Sequence, residues 1–304
     1  MIYPNCAEID INKMKFITWN VNGIRTKIFS HLSSGQIAKT KQVEPVDGSP
    51  ISNLLKLDPD FMCFQETRCS TENGEKLKIP GYKSVFNSSK KDGARDANRY
   101  SGTCIYYKDK YTPNSIEFQI PNHIDEEGRI ITMKFDTFVL INVYTPNSGT
   151  NFPERLTWQT NMLNFLKSID GQVIYCGDMN VAWTDRDVHF KIKESPTYKN
   201  VNTDTVVGLL PEEIEFMKEL KSNNYVDAQD TQGLFNHFTY WDARSKKIEG
   251  LPGARYKNHG WRIDYFLTKN SNTIECKALQ QIGTEYINDG HSQCSDHCPV
   301  YYQN

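Results

Sequence analysis

Six times along this chain an apolar run stops at a carboxylate, a carboxamide, a phenol or an imidazole. In one case Val173-Ile-Tyr-Cys176 is followed by Gly177, and then by Asp178 and Asn180. A run apolar at every position reads as a strand buried on both faces. Gly177 would permit a sharp exit that presents both polar side chains at its end. The other ends carry Asn20 and Asn22, Gln65 and Glu66, Tyr144 and Asn147, Asp264, and Asp296 with His297. Such ends are where sheet enzymes commonly display reactive groups. Carboxylates and amides gathered there suit a hard, oxygen-ligated cation, and a histidine suits a polar or anionic group. No nucleophilic serine or cysteine motif accompanies them, so the set points to metal-assisted hydrolysis with water as nucleophile. The competing reading is a set of turns that cap their own backbone, plus one buried histidine with its hydrogen bonds satisfied.

Positioning these groups requires strands, and apolar runs predict them over 15–20, 60–66, 102–107, 129–135, 137–144, 236–241, 261–267 and 297–302. Segments 129–135 and 137–144 read as a hairpin about Asp136. Helices are expected over 51–57, 153–169 and 211–221. In the middle one Trp158, Met162, Phe165, Leu166 and Ile169 share one face at helical spacing, which reads as core packing. There is no fixed-period repeat, and no Pro/Gly/Ser-rich linker divides the chain. One α/β domain with mixed sheets is therefore expected over 14–304, after a short extension at 1–13.

With 304 residues, 38% hydrophobic and 24% charged, the composition is that of a globular protein. No apolar run approaches a membrane span, and residues 1–15 carry neither an apolar signal core nor an Arg-rich amphipathic pattern. A cytosolic or nuclear monomer without a membrane partner is the expectation. The eight cysteines are scattered, with Cys63, Cys104 and Cys176 inside apolar runs, as buried free thiols would be. Cys294 and Cys298 flank His297, but no second Cys/His pair at ligand spacing completes a zinc site. The net charge is −2, yet basic residues concentrate at Arg25, Lys27, Lys39 and Lys41 and again at Arg244, Lys246, Lys247, Arg255 and Lys257. Either loop can meet phosphates or simply be solvated.

Seven segments carry a family resemblance. Phe16-Ile-Thr-Trp-Asn-Val-Asn-Gly-Ile-Arg25, Cys63-Phe-Gln-Glu-Thr-Arg68, Tyr100-Ser-Gly, Asn142-Val-Tyr-Thr-Pro-Asn147, Cys176-Gly-Asp-Met-Asn-Val-Ala182, Gly260-Trp-Arg-Ile-Asp-Tyr-Phe266 and Ser295-Asp-His-Cys-Pro299 occur in that order. They resemble the motifs of the exonuclease III family of apurinic/apyrimidinic (AP) endonucleases. The Gly-Asp-Asn and Ser-Asp-His pieces are shared with DNase I and inositol polyphosphate phosphatases. The Gln-Glu-Thr-Arg, Tyr-Ser-Gly and Gly-Trp-Arg-Ile-Asp-Tyr-Phe pieces together mark the repair branch.

The resemblance implies a four-layered α/β sandwich, two mixed sheets face to face with helices outside and the site at one rim. It implies a Mg²⁺-dependent enzyme, with Mn²⁺ able to substitute, acting on double-stranded DNA that contains abasic sites. Glu66 and Asp296 would be the main metal ligands, with Asn20 and Asn22 nearby; some members have Asp where Asn22 stands. Asp178 would position or deprotonate the attacking water, and Asn180 would orient that water and the phosphate. Tyr144, Asn147 and His297 would donate to phosphate oxygens, with Asp264 holding His297 in its useful tautomer. Tyr240, Trp261 and Ile263 would form the pocket for the base-less sugar, although on their own they read as ordinary core. Arg25, Tyr100, Arg255 and Lys257 would contact the duplex, the last two within an extended loop at 246–259, and segment 27–50 is also longer than in compact members. Thr150 stands where animal relatives place an arginine. Two alternatives remain: a superfamily enzyme acting on another phosphoester, and a DNA-binding relative that has lost catalysis.

Overall fold

The computed structural model describes residues 11–25, 29, 34–90, 100–149, 151–194, 206–233, 237–242, 258–280 and 295–304. Twelve strands are present among them. In chain order they are β1 (Lys15–Asn20), β2 (Phe61–Gln65), β3 (Tyr82–Asn87), β4 (Thr103–Lys108), β5 (Ser115–Glu117) and β6 (Ile130–Lys134). There follow β7 (Phe138–Tyr144), β8 (Gln172–Asp178), β9 (Val226–Asp227), β10 (Asp264–Lys269), β11 (Glu275–Ala278) and β12 (Val300–Gln303). They form two six-stranded sheets, ordered β11-β12-β1-β2-β4-β3 and β5-β6-β7-β8-β10-β9.

Alternation along each strand decides what each face meets. Phe16, Phe61, Cys63, Leu140, Ile174, Cys176, Phe266 and Tyr302 point into the space between the sheets. The intervening Ile17, Trp19, Met62 and Phe64 join Ile37 of α1 (Ser34–Lys39) and Ile51 and Leu54 of α2 (Pro50–Leu55). After the one-turn α3 (Thr71–Gly74) comes α4 (Phe152–Ser168), whose Trp158, Met162 and Leu166 pack on Ile141, Val143 and Tyr175 of the second sheet. The short α5 (Phe190–Lys193) precedes α6 (Pro211–Ser222), whose Phe216, Met217 and Leu220 belong to the same cluster. The result is four layers, helix, sheet, sheet and helix. It explains why the central strands read as continuous apolar runs, since both of their faces are covered.

The same alternation carries the inner face from apolar to polar at one rim. Phe16 and Thr18 lead to Asn20, Phe61 and Cys63 to Gln65, Leu140 and Asn142 to Tyr144, and Ile174 and Cys176 to Asp178. Because β1 and β2 are parallel, and β7 and β8 are parallel, all four C-terminal ends share that rim. Antiparallel β10 and β12 bring their N-terminal ends there, with Asp264 directly opposite Asp178. One polar tie joins the sheets below the rim: Gln65 Nε2 donates to Asn142 Oδ1 at 2.7 Å, and Asn142 Nδ2 donates to the Phe64 and Cys104 carbonyls at 3.1 and 3.0 Å.

Several expected boundaries move. Residues 237–242 form no strand; Tyr240 makes only isolated bridges to Trp261 and His297. The ladders of β10 and β12 begin at Asp264 and Val300, not at 261 and 297. The cause is local, because Thr239 Oγ1 accepts the Ile263 and Asp264 N–H groups at 3.1 and 3.2 Å, and Pro299 has no N–H to give. Strands β3, β5, β9 and β11 lie at or next to sheet edges with half-exposed residues, so no apolar run announces them. Gly177 marks no exit either. It stays in β8 with φ 137°, and a Cβ there would lie 2.0 Å from the Val143 carbonyl oxygen. Gly177→Ala is therefore expected to lower unfolding stability by about 2 kcal/mol or more, read from the midpoint of urea unfolding.

Candidate active site

Asn20 ends β1 fully buried, and its Nδ2 donates to Glu66 Oε1 and to Asp178 Oδ2, both at 2.9 Å. Its Oδ1 accepts the Asn22 N–H at 3.1 Å, which sets the orientation of the amide. Asn22, Glu66 and Asn180, just past the ends of three strands, all have φ between 47° and 49°. Asparagine tolerates this left-handed region; glutamate does so at a cost. Glu66 is held there by its carbonyl, which accepts the Gly23 N–H at 2.8 Å. Burial raises the Glu66 pKa, but the Arg68 guanidinium and the Asn20 amide outweigh it and hold the carboxyl below its ordinary value. Arg68 Nε reaches Glu66 Oε2 at 3.0 Å, and a second guanidinium nitrogen makes a shorter contact to the same oxygen. Asn22 Nδ2 donates to Asp296 Oδ1 at 3.0 Å, so both carboxylates named from the sequence lie one amide away from this turn.

Three ionisable groups are sealed beside it. His297 Nδ1 lies 2.8 Å from Asp264 Oδ2, and His297 Nε2 lies 3.9 Å from Asp178 Oδ2. Asp178 Oδ1 accepts the Asn180 N–H at 2.9 Å. Burial lowers the affinity of His297 for a proton, yet Asp264, with help from Asp178 and Asp296, raises its pKa to about 10. The ring is therefore a cation at neutral pH, Nδ1–H bound to Asp264 and Nε2–H turned toward Asp178. Burial, then repulsion from Asp264, pushes the Asp178 carboxyl well up, against the pull of His297. Backbone ties fix the imidazole: Ser295 Oγ accepts the His297 N–H at 3.1 Å, and Trp19 Nε1 donates to the His297 carbonyl at 3.1 Å.

Tyr144 sits opposite Asp178 in the β7–β8 ladder. Burial and the Glu66 and Asp178 carboxylates drive its phenol well above the ordinary value, so it remains a donor. Asn180 Nδ2 donates to the Thr145 carbonyl at 2.8 Å, while the exposed Asn147 reaches Asn180 Oδ1 at 3.5 Å. Tyr240, Trp261 and Ile263 come together with Ala182 and Val188 in one apolar cluster, and the Tyr240 ring lies 4.9 Å from His297. Arg25 braces the turn, donating to the Arg68 carbonyl at 3.1 Å. Tyr100 is 42% exposed at the rim. Arg255, Lys257 and Thr150 lie outside the described residues. Cys298 is buried with Sγ on the Phe238 carbonyl at 3.6 Å and His297 Nδ1 faces Asp264, while Cys294 lies outside the described residues.

Ligand atoms of Asp178, Asp264 and His297 lie within 4.8 Å of one another. In this set His297 Nδ1 is already taken up by Asp264 at 2.8 Å. Glu66 and Asp296 are only half-buried, and both are oxygen donors. They suit a hard divalent cation that keeps some of its waters. Four supporting groups escaped sequence reasoning: Arg68 on Glu66, Thr239 beneath Asp264, Arg129 against Tyr144, and Ser295 on the His297 N–H. Only Ser295 had a local signal, a Ser two residues before the histidine whose N–H it accepts.

A buried acid able to take a proton from water, beside an imidazolium, a phenol and a place for a hard cation, is the equipment of a phosphoester hydrolase. The model of the Endonuclease/Exonuclease/phosphatase family matches residues 17–297. The chain is 31% identical over 305 residues to the DNA-(apurinic or apyrimidinic site) endonuclease of Dictyostelium discoideum, covering 96% of this chain and 71% of that one. It is 30% identical over 297 residues to the exodeoxyribonuclease of Bacillus subtilis (strain 168), covering 94% and 98%. The crystal structure of an AP endonuclease from Leishmania major superposes with a TM-score of 0.68 at 25% identity, covering 96% of this chain and 87% of that one. The chain belongs to the Endonuclease/Exonuclease/phosphatase family.

Asp264→Asn removes the main charge that keeps His297 protonated. Nitrogen-detected NMR titration should show the wild-type ring charged up to about pH 10. In the variant the ring should lose its proton more than about two units lower. An unchanged titration would mean that Asp264 is not what holds the charge.

Proposed function

We propose that this chain is an AP endonuclease: it hydrolyses the DNA phosphodiester 5′ to an abasic site, leaving a 3′-hydroxyl and a 5′-deoxyribose phosphate. The observation that carries the reading is the adjacency of two unlike surfaces. The buried Asp178–His297–Asp264 group is equipped for phosphoester chemistry, and Tyr240, 4.9 Å from His297, packs with Trp261, Ile263, Ala182 and Val188 in an apolar cluster. A sugar without a base offers nothing to hydrogen-bond, so an apolar pocket admits it and excludes an intact nucleotide by size. The names of the Dictyostelium discoideum and Bacillus subtilis relatives support DNA as the substrate, and the second adds exodeoxyribonuclease action.

In this reading Asp178 takes the proton of the attacking water, its raised pKa matching it to a base that works near neutrality. Asn180 orients that water. His297 and the Tyr144 phenol donate to the non-bridging phosphate oxygens as negative charge develops on them. As the water oxygen bonds to phosphorus, the bond from phosphorus to the upstream 3′ oxygen breaks, and that oxygen takes a proton from solvent water to end as the hydroxyl. Glu66 and Asp296, with Asn20 and Asn22 alongside, would hold Mg²⁺ or Mn²⁺, which when bound would supply positive charge where negative charge develops.

The test is an end-labelled duplex carrying one tetrahydrofuran abasic analogue. Wild type with Mg²⁺ should give a single nick 5′ to the analogue, and EDTA should abolish it. Asp178→Asn should slow it by about 10²–10⁴-fold while duplex binding persists. Binding without any nick in wild type would leave an inactive DNA-binding relative. Neither nick nor binding would overturn DNA as the substrate.

A further inference from the structure

We propose that Arg129 is the positioning residue for Tyr144 and that it links this phenol to the exposed Tyr100 at the rim; the inference rests on the function proposed above. Arg129 stands just before β6 and is 5% exposed. Its guanidinium carbon lies 4.6 Å from the centre of the Tyr144 ring, and Nη1 donates to the Tyr144 carbonyl at 3.1 Å. The Arg129 carbonyl in turn accepts the Tyr144 N–H at 2.8 Å. Nη2 donates to the Tyr100 hydroxyl at 2.8 Å and also lies 2.6 Å from Glu127 Oε2. Nε is anchored on Glu127 Oε2 at 2.7 Å. The turn beneath is pinned by Asp125, whose carboxylate accepts the Glu127, Arg129 and Ile130 N–H groups at 3.0, 2.5 and 3.2 Å.

An ion pair with Glu127 alone would satisfy a structural arginine. The remaining contacts all address the two tyrosines, and the ring that the cation faces is the one pressed by the Glu66 and Asp178 carboxylates. The positive guanidinium opposes those two charges while its plane sets the tilt of the ring, so the phenol points where phosphate oxygens arrive. Tyr100 and Arg129 stand at a cleft of about 250 Å³ beside the site, lined also by Pro146 and Asn147 and, on its acidic side, by Glu127 and Glu154. A DNA backbone that engages Tyr100 there bears, through the guanidinium, on the residue that meets the scissile phosphate.

The experiment is a double-mutant cycle on the single-turnover rate with the tetrahydrofuran duplex. Arg129→Lys retains the charge on Glu127 but cannot stack as a plane and reach both tyrosines. Alone it should slow cleavage about tenfold with duplex affinity within about twofold. In a Tyr144→Phe background, where there is no hydroxyl left to position, the same change should cost less than about twofold. Full multiplication of the two effects, or a loss confined to affinity, overturns the inference. Should Arg129→Lys fold poorly, Tyr100→Phe removes only the hydroxyl that Arg129 binds. It should slow cleavage about threefold with Tyr144 present and leave the rate unchanged without it; equal effects in both backgrounds overturn the link. Wild type that fails to cut overturns the functional reading and the inference together, whereas wild type that cuts while the effects multiply overturns the inference alone.

Discussion

One side-chain amide governs the geometry of this molecule. Both N–H bonds of Asn20 are spent on carboxylates from different sheets, Glu66 on the first and Asp178 on the second. The packing of the sheets and the spacing of the reactive groups are therefore a single constraint. Any sliding of one sheet over the other stretches a hydrogen bond to a buried, charged oxygen, which is among the more expensive bonds to lose. Gln65 and Asn142 repeat the device one step deeper, with neutral amides and at lower cost. The apolar layer below supplies adhesion, and these polar ties supply register.

The cost of this arrangement is concentrated in the second sheet. Asp178 and Asp264 face each other across the β8–β10 ladder, both buried, with one imidazolium between them. Burying two carboxylates around one imidazolium is electrostatically costly, and Asp178 answers by holding its proton more tightly than an ordinary carboxyl. A site of this kind is poised for chemistry because the fold makes its resting state uncomfortable. The left-handed backbone at Asn22, Glu66 and Asn180 belongs to the same store of strain, held by hydrogen bonds that converge on the rim.

Much of this was legible in the residues, and for identifiable reasons. Strands covered on both faces become long apolar runs, so β1, β2, β4, β7 and β8 announce themselves, and the face of α4 follows from its spacing. Acids and amides at the ends of those runs stood out because nothing apolar follows them. What could not be read depends on partners distant in sequence. Thr239 reads as part of a strand until its hydroxyl is seen to take two backbone N–H groups that a neighbouring strand would otherwise accept. Arg129 reads as the first residue of a strand, and its role exists only once Tyr100 and Tyr144 fold against it. Gly177 looked like a turn and is a close approach, a distinction that φ and a neighbouring carbonyl decide.

The position of β12 in its sheet has a bearing on synthesis. This strand lies between β1 and β11, and the segment that leads into it carries Asp296 and His297, so the earliest described strand, paired early with β2, gains its second neighbour only when the last described strand has been made. Such distant pairings are slow to form, because a large loop must close before any contact rewards it. A partly translated chain has Asp178 and Glu66 but neither the imidazole nor the second rim carboxylate. The order of residues along the chain thus leaves the rim incomplete until β12 and the segment leading into it have joined the first sheet.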